Sequence, residues 1–295
     1  MLDAPLLHLR RSCASLLGLF VLASMLAVPA HGQVAQSSAL FLRIEPDSRS
    51  AGMGNTGVAV ANDANSMFWN PSLRFIYSKL TSGQRGATGD GNASTLATDL
   101  SALYRSAPFA LAGTEATFSA GLNIANLGGT LDFNEQELGS DPIPASFRIG
   151  PALTLDFDEY NSLTIATDFN KSLVSSDVEV QDGDTARVGN TGFQALFDSW
   201  GSARGQVRPN GEATSLSLLQ QFTVGTGLEY WYDDLFALRS GYYYEHPDNG
   251  DRQFLTFGAG LRYNIVGVDI SYLYTSDDRS PLANTLRFSL LFDFQ

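Results

Sequence analysis

Thr285-Leu-Arg-Phe-Ser-Leu-Leu-Phe-Asp-Phe-Gln295 decides how this chain is read. Leu286, Phe288, Leu290, Phe292 and Phe294 share one parity. Thr285, Arg287, Ser289, Asp293 and Gln295 share the other, which only Leu291 interrupts. Successive side chains of a strand point to opposite faces, so this strand is apolar on one face and polar on the other. Large apolar groups on an outer face, with an aromatic near the end, suit the last strand of an outer-membrane barrel. Phe288, Phe292 and Phe294 are therefore expected to act in barrel closure and as the signal read by the barrel assembly machinery.

The alternation recurs along the chain. Val268, Ile270, Tyr272 and Tyr274 alternate with Asp269 and Ser271, and Leu255, Phe257, Ala259, Leu261 and Tyr263 with Thr256, Gly258, Gly260 and Arg262. Phe222, Val224, Leu228, Tyr230 and Tyr232 oppose Gly225, Gly227 and Glu229. Phe236, Leu238, Tyr242 and Tyr244 share a parity. Leu163, Ile165 and Phe169 oppose Thr164 and Asp168, and Phe147, Ile149, Leu153 and Leu155 oppose Arg148, Gly150, Thr154 and Asp156. Phe118, Leu122 and Ile124 form a further set. Leu96, Leu100 and Tyr104 are weaker, and Leu73, Phe75 and Tyr77 weakest. This predicts an all-β, transmembrane antiparallel barrel of about ten strands, each near the ~9–11 residues that cross a membrane at a tilt. A soluble sandwich also alternates, but its strands are usually shorter.

Connection lengths favour the barrel. Ser276 to Asn284, His246 to Arg252, Val174 to Leu219 and Gly128 to Pro144 are long and polar. Asn264 to Gly267, Tyr232 to Leu235 and Asp158 to Asn161 are tight. Long loops at one end and tight turns at the other are the outer-membrane pattern. A multi-pass barrel in the cell outer membrane is expected, with long loops extracellular and the C-terminus periplasmic. Aromatic groups at strand ends, Tyr230 to Tyr232 and Tyr242 to Tyr244, suit the membrane boundaries.

The start points to export. Arg10 and Arg11 precede an apolar run from Ser12 to Val28, and Ala30-His31-Gly32 offers a cleavage site. Residues 1–32 are expected to be a signal peptide, 33–71 a Gly-rich segment entering or plugging the barrel, and 72–295 the barrel. Cys13 is the only cysteine and would leave with the signal, so a thiolate metal site or disulfide is excluded from the mature chain. The net charge of -13 argues against a nucleic-acid partner, whose binding needs a basic footprint.

Motifs carrying chemistry are sparse. Gly52-Met-Gly54-Asn-Thr-Gly57 matches G-x-G-x-x-G, but no βαβ pattern surrounds it, so it reads as close backbone packing rather than cofactor binding. Glu179, Asp182 and Asp184 lack the spacing of a calcium loop and read as solvated. His246 is the only mature histidine. Paired with Ser240 it would be needed for a lipid esterase, but it reads as a loop-edge residue. No catalytic, cofactor or metal residues are assigned. Trp69-Asn70-Pro71 reads as a fixed lead-in to the first strand. In the longest loop, Phe193, Leu196, Phe197 and Trp200 sit among polar residues as candidate protein-contact anchors, or as a plug folded into the lumen.

Ile44-Glu-Pro-Asp-Ser-Arg-Ser-Ala-Gly-Met-Gly54 and Asn62-Asp-Ala-Asn-Ser-Met-Phe-Trp-Asn-Pro71 resemble the N-terminal signature of the PorV/PorQ family of outer-membrane proteins, related to FadL-like barrels. Ile143 to Gly150, Glu159 to Lys171, Gly241 to Pro247 and Arg252 to Gly260 extend the resemblance over nearly all the mature chain. It implies a non-enzymatic role in type IX secretion. The implied partners are the translocon, cargo C-terminal β-domains, the surface attachment complex and outer-membrane lipid. Family barrels have about fourteen strands. A block of strands between about Ile76 and Thr81 is thus expected to be missing, and the barrel to close incompletely. A FadL-like channel for hydrophobic or small solutes is the alternative function.

Overall fold

A computed structural model describes residues 42, 44–81, 92–131, 141–173, 176–181, 184–189, 192–207, 213–275 and 284–293. The expected signal peptide and Phe294 lie outside the described residues. Two short helices come first, α1 (Ser48–Gly52) and α2 (Ser66–Trp69). Then come β1 (Leu73–Thr81), β2 (Asn92–Arg105), β3 (Phe109–Leu111), β4 (Thr114–Gly128) and a small hairpin of β5 (Thr130–Leu131) and β6 (Asp141–Pro142). β7 (Ser146–Asp156) and β8 (Asn161–Ser172) form the next long pair. A hairpin of β9 (Ser176–Gln181) and β10 (Asp184–Gly189) follows, then helix α3 (Gly192–Asp198) and a hairpin of β11 (Ala203–Val207) and β12 (Ala213–Leu216). The last long strands are β13 (Phe222–Tyr232), β14 (Phe236–Tyr244), β15 (Gln253–Tyr263), β16 (Val266–Tyr274) and β17 (Thr285–Phe292).

The long strands pair with their sequence neighbours in one antiparallel sheet, ordered β1-β2-β4-β7-β8-β13-β14-β15-β16-β17, with β3 beside β4. The ten expected strands are all present, and the weak Leu73 segment is β1. Among the described residues no ladder joins β1 to β17, so the sheet is not closed.

The tight turns have local causes. Asp233 and Asp234 both take positive φ, 54° and 49°, the geometry that matches a two-residue hairpin to strand twist. Asp158 caps its turn by accepting the N–H groups of Tyr160 and Asn161, each at 2.8 Å. The Tyr160 N–H, the Asn161 amide and the Asn161 N–H hold this exposed carboxyl below the usual carboxylate range.

Burial runs inside out. Asp269 and Thr256 are fully buried and Glu229 is 1% exposed, whereas Phe257 is 51% and Leu290 61% exposed. A water-soluble sandwich buries the opposite set. Each large outward side chain gains about 1.5–3 kcal/mol in apolar surroundings, so this outer face calls for hydrocarbon as its solvent. Among the described residues no helix is long and apolar enough to cross a membrane; the strands supply the crossing face.

The long-loop end of the inner face is apolar. Leu131 and Ile143 pack on Ala93 and Ala97, while Leu127, Ala145, Leu173 and Ala195 form a second cluster. Tyr243 stacks on Phe254 with ring centroids 4.7 Å apart. Toward the tight-turn end the inner face turns polar.

Candidate functional site

Residues 44–71 pack on the inner face of the sheet, and their own polar groups determine how. Asp47 accepts the Ser50 N–H at 2.6 Å, which caps α1, and the Trp69 indole N–H at 2.8 Å, which ties α1 to α2. The Ser48 N–H donates to the Ser289 hydroxyl on β17 at 2.8 Å. Thr256 on β15 accepts from the Gly54 N–H and donates to the Gly52 carbonyl, both at 2.9 Å. Asp168 on β8 accepts the N–H groups of Gly57 and Val58 at 2.7 and 2.9 Å.

The glycine motif serves this packing. A Cβ on Gly52 would come within 3.2 Å of the Gly258 Cα. Gly54 has φ +70° and lies against the backbones of Thr226 and Tyr242, and Gly57 lies under the Trp69 ring. Facing glycines on the wall, Gly227 and Gly241, admit the backbone of Met53 and Gly54. Gly52 and Gly54 thus admit close backbone approach, and Gly57 makes room for the Trp69 ring.

A charge chain runs along the inner face of β13 to β16. Arg49 donates to both Glu229 oxygens, at 2.7 and 2.8 Å. Arg239 donates to Glu229 at 2.6 Å and to Asp269 at 2.8 Å, and Arg262 reaches Asp269 at 2.7 Å. The guanidinium groups of Arg239 and Arg262 each lie 5.4 Å from the Trp231 ring centroid. Charges so far from water persist only when paired and hydrogen-bonded. Arg148 similarly lies over the rings of Phe68 and Trp69, at 4.7 and 5.1 Å. None of these residues is among the candidates expected from sequence. Their signal was present: Glu229, Asp269, Arg262 and Asp168 lie on the polar parity, with both signs of charge.

Trp69 is buried, and its carbonyl accepts from the Asn123 amide at 2.9 Å. Asn70 donates to the carbonyls of Val58 and Ala102, and Pro71 leads through Ser72 into β1. Phe288 and Phe292 lie on the exposed face of β17.

The four loop aromatics and aliphatics divide into two sets. Phe193 and Phe197, one helical turn apart on α3, are 61% and 74% exposed. Leu196 packs on the cluster around Leu173 and Ala195. Trp200 meets Phe147 edge-on at 5.2 Å and lies near Phe222 and Lys171. One pair thus anchors α3 to the strand ends and the other faces outward.

His246 is held by Gln220, 3.1 Å from Nε2, and accepts the Asp248 N–H at Nδ1. Ser240 takes the parity of outward Leu238 and Tyr242, opposite buried Arg239. The acidic loop residues Glu179 and Asp184 fall on the β9–β10 hairpin, and Asp182 lies outside the described residues.

A cavity of about 510 Å³ opens at the tight-turn end, between residues 49–63 and the walls of β4, β7, β8, β13 and β15. Thr117, Ser119, Thr154, Ser162 and Thr164 form one wall; Arg49, Asp63, Trp231 and Arg262 are among the others.

Residues 73–179, from the first residue of β1 into β9, match the family model of the type IX secretion system protein PorV. Over that segment the chain is similar to the PorV family. No curated protein matches the chain. The similarity is to a type IX secretion protein, and the strand-built apolar outer face is in keeping with an outer-membrane location.

Proposed function

We propose that this PorV-family barrel receives secreted substrates carrying C-terminal β-domains from the type IX translocon and delivers them to the surface attachment complex. The family match over residues 73–179 carries this reading. In it the elaborated loops face the cell exterior, the tight turns and C-terminus face the periplasm, and the ten-stranded sheet is a family barrel lacking a block of strands. Phe193 and Phe197 are the contact anchors: exposed aromatics on a helix pinned by Leu196 and Trp200 present contact area without the cost of ordering a loose loop.

The alternative, a channel for hydrophobic or small solutes, fits less well. Residues 44–71 pack on the inner face of the sheet, and the cavity beside them is lined mainly by hydroxyl and charged groups that an acyl chain would desolvate without compensation. The test is co-purification of secreted cargo from cells carrying Phe193→Ala/Phe197→Ala. Cargo recovery and secretion are expected to fall at least several-fold while barrel abundance is unchanged. Intact secretion with raised solute leakage would make α3 a plug instead.

A further inference from the structure

The cavity at the tight-turn end has a lining that the secretion reading does not use. Thr117, Thr154 and Thr164 are cross-strand partners in one row over β4, β7 and β8, and the same row continues to Glu229 on β13. Thr154 and Thr164 share a hydrogen bond at 2.9 Å, which leaves each hydroxyl with further capacity toward the cavity. Ser162 lies one row nearer the opening, opposite Trp231. Few apolar side chains line the space: Ala59, Val60, Ala152 and the Trp231 ring.

Chemistry narrows the occupant. An acyl chain would strand the threonine row. An anion would meet Asp63, Asp156 and Asp234, and a cation would meet Arg49, Arg105 and Arg262. A neutral polyol faces neither conflict, because each of its hydroxyls both donates and accepts. The volume lies in the range of small-molecule sites. We propose that this cavity is a binding site for a small neutral saccharide, held by the row of Thr117, Thr154 and Thr164 with Asp156 and Asn62 bridging vicinal hydroxyls.

The test is calorimetry on the folded, detergent-solubilised barrel with maltose, glucuronate, spermidine and laurate as probes. Saturable maltose binding, with the other three at least tenfold weaker, is expected. Tryptophan emission should shift on binding, and Trp231→Phe should remove the shift while Trp69 and Trp200 remain. Thr154→Val/Thr164→Val should weaken maltose at least fivefold with the heat-modifiable folded band retained. If that pair fails to fold, Ser162→Ala provides the same comparison. Maltoheptaose separates the sources: tighter binding of maltose assigns a free sugar, and tighter binding of maltoheptaose the end of a glycan chain. Absence of saturable maltose binding, or stronger binding of laurate or either charged probe, overturns the proposal. None of these outcomes bears on cargo delivery, which is tested separately at α3.

Discussion

At the residue scale the molecule depends on charges that are costly when alone. Glu229 serves two arginines, Arg49 from the N-terminal segment and Arg239 from the wall. Removing one partner of a buried pair leaves the other uncompensated, at about 3–5 kcal/mol. Glu229→Gln is therefore expected to lower the denaturant midpoint of the folded barrel more than Arg49→Met, which leaves Glu229 still paired with Arg239. Urea titration read by the heat-modifiable band checks the order; equal or reversed shifts would count against the charge chain as a structural element. Gly54→Ala is a sharper probe of how the N-terminal segment sits. Its Cβ would fall within 2.8 Å of backbone atoms of Thr226 and Tyr242, at a φ that L-residues disfavour by about 1–3 kcal/mol. Protease accessibility of residues 44–71 should rise in the variant. Unchanged protection would mean the segment does not rest on the glycine wall.

At the element scale, sequence legibility depended on period. The strands were readable because alternation is local: Leu255 to Tyr263 declares both faces within one segment, and the structure keeps that parity. α1 was not readable. It is five residues long, and its position rests on contacts such as Ser48 with Ser289, 241 residues away. The long loop hid two hairpins and α3 for the same reason. Its four apolar residues were found as a group, but only the fold separates Leu196 and Trp200, which contact the strand ends, from the outward pair Phe193 and Phe197. The lumen charges lay on the expected polar parity, yet pairing across strands cannot be seen in one segment. The terminal strand carries its own expectation. β17 pairs with β16 from Val266–Phe292 to Leu273–Thr285. Deleting residues 292–295 removes the last outward aromatic of that ladder and should reduce folded protein in the outer membrane. An undiminished heat-modifiable band in the truncated variant would contradict a role for this end in assembly.

At the scale of the whole molecule, the account rests on one inversion: acids and arginines inside, leucine and phenylalanine outside. The open path from β1 to β17, the N-terminal segment packed on the inner face and the pinned α3 all presuppose it. Cys13 is the only cysteine, so single cysteines can be placed in the barrel once it is replaced. The decisive measurement is quenching by brominated lipid of a fluorophore attached in turn at positions 255 to 261 of β15 and 286 to 290 of β17, with the folded barrel in bilayers. Strong quenching at Leu255, Phe257, Leu261, Leu286, Phe288 and Leu290, and weak quenching at Thr256, Gly258, Gly260, Arg287 and Ser289, is the predicted two-residue pattern. Uniform quenching, or quenching strongest at Thr256 and Ser289, would contradict a barrel with this face in lipid.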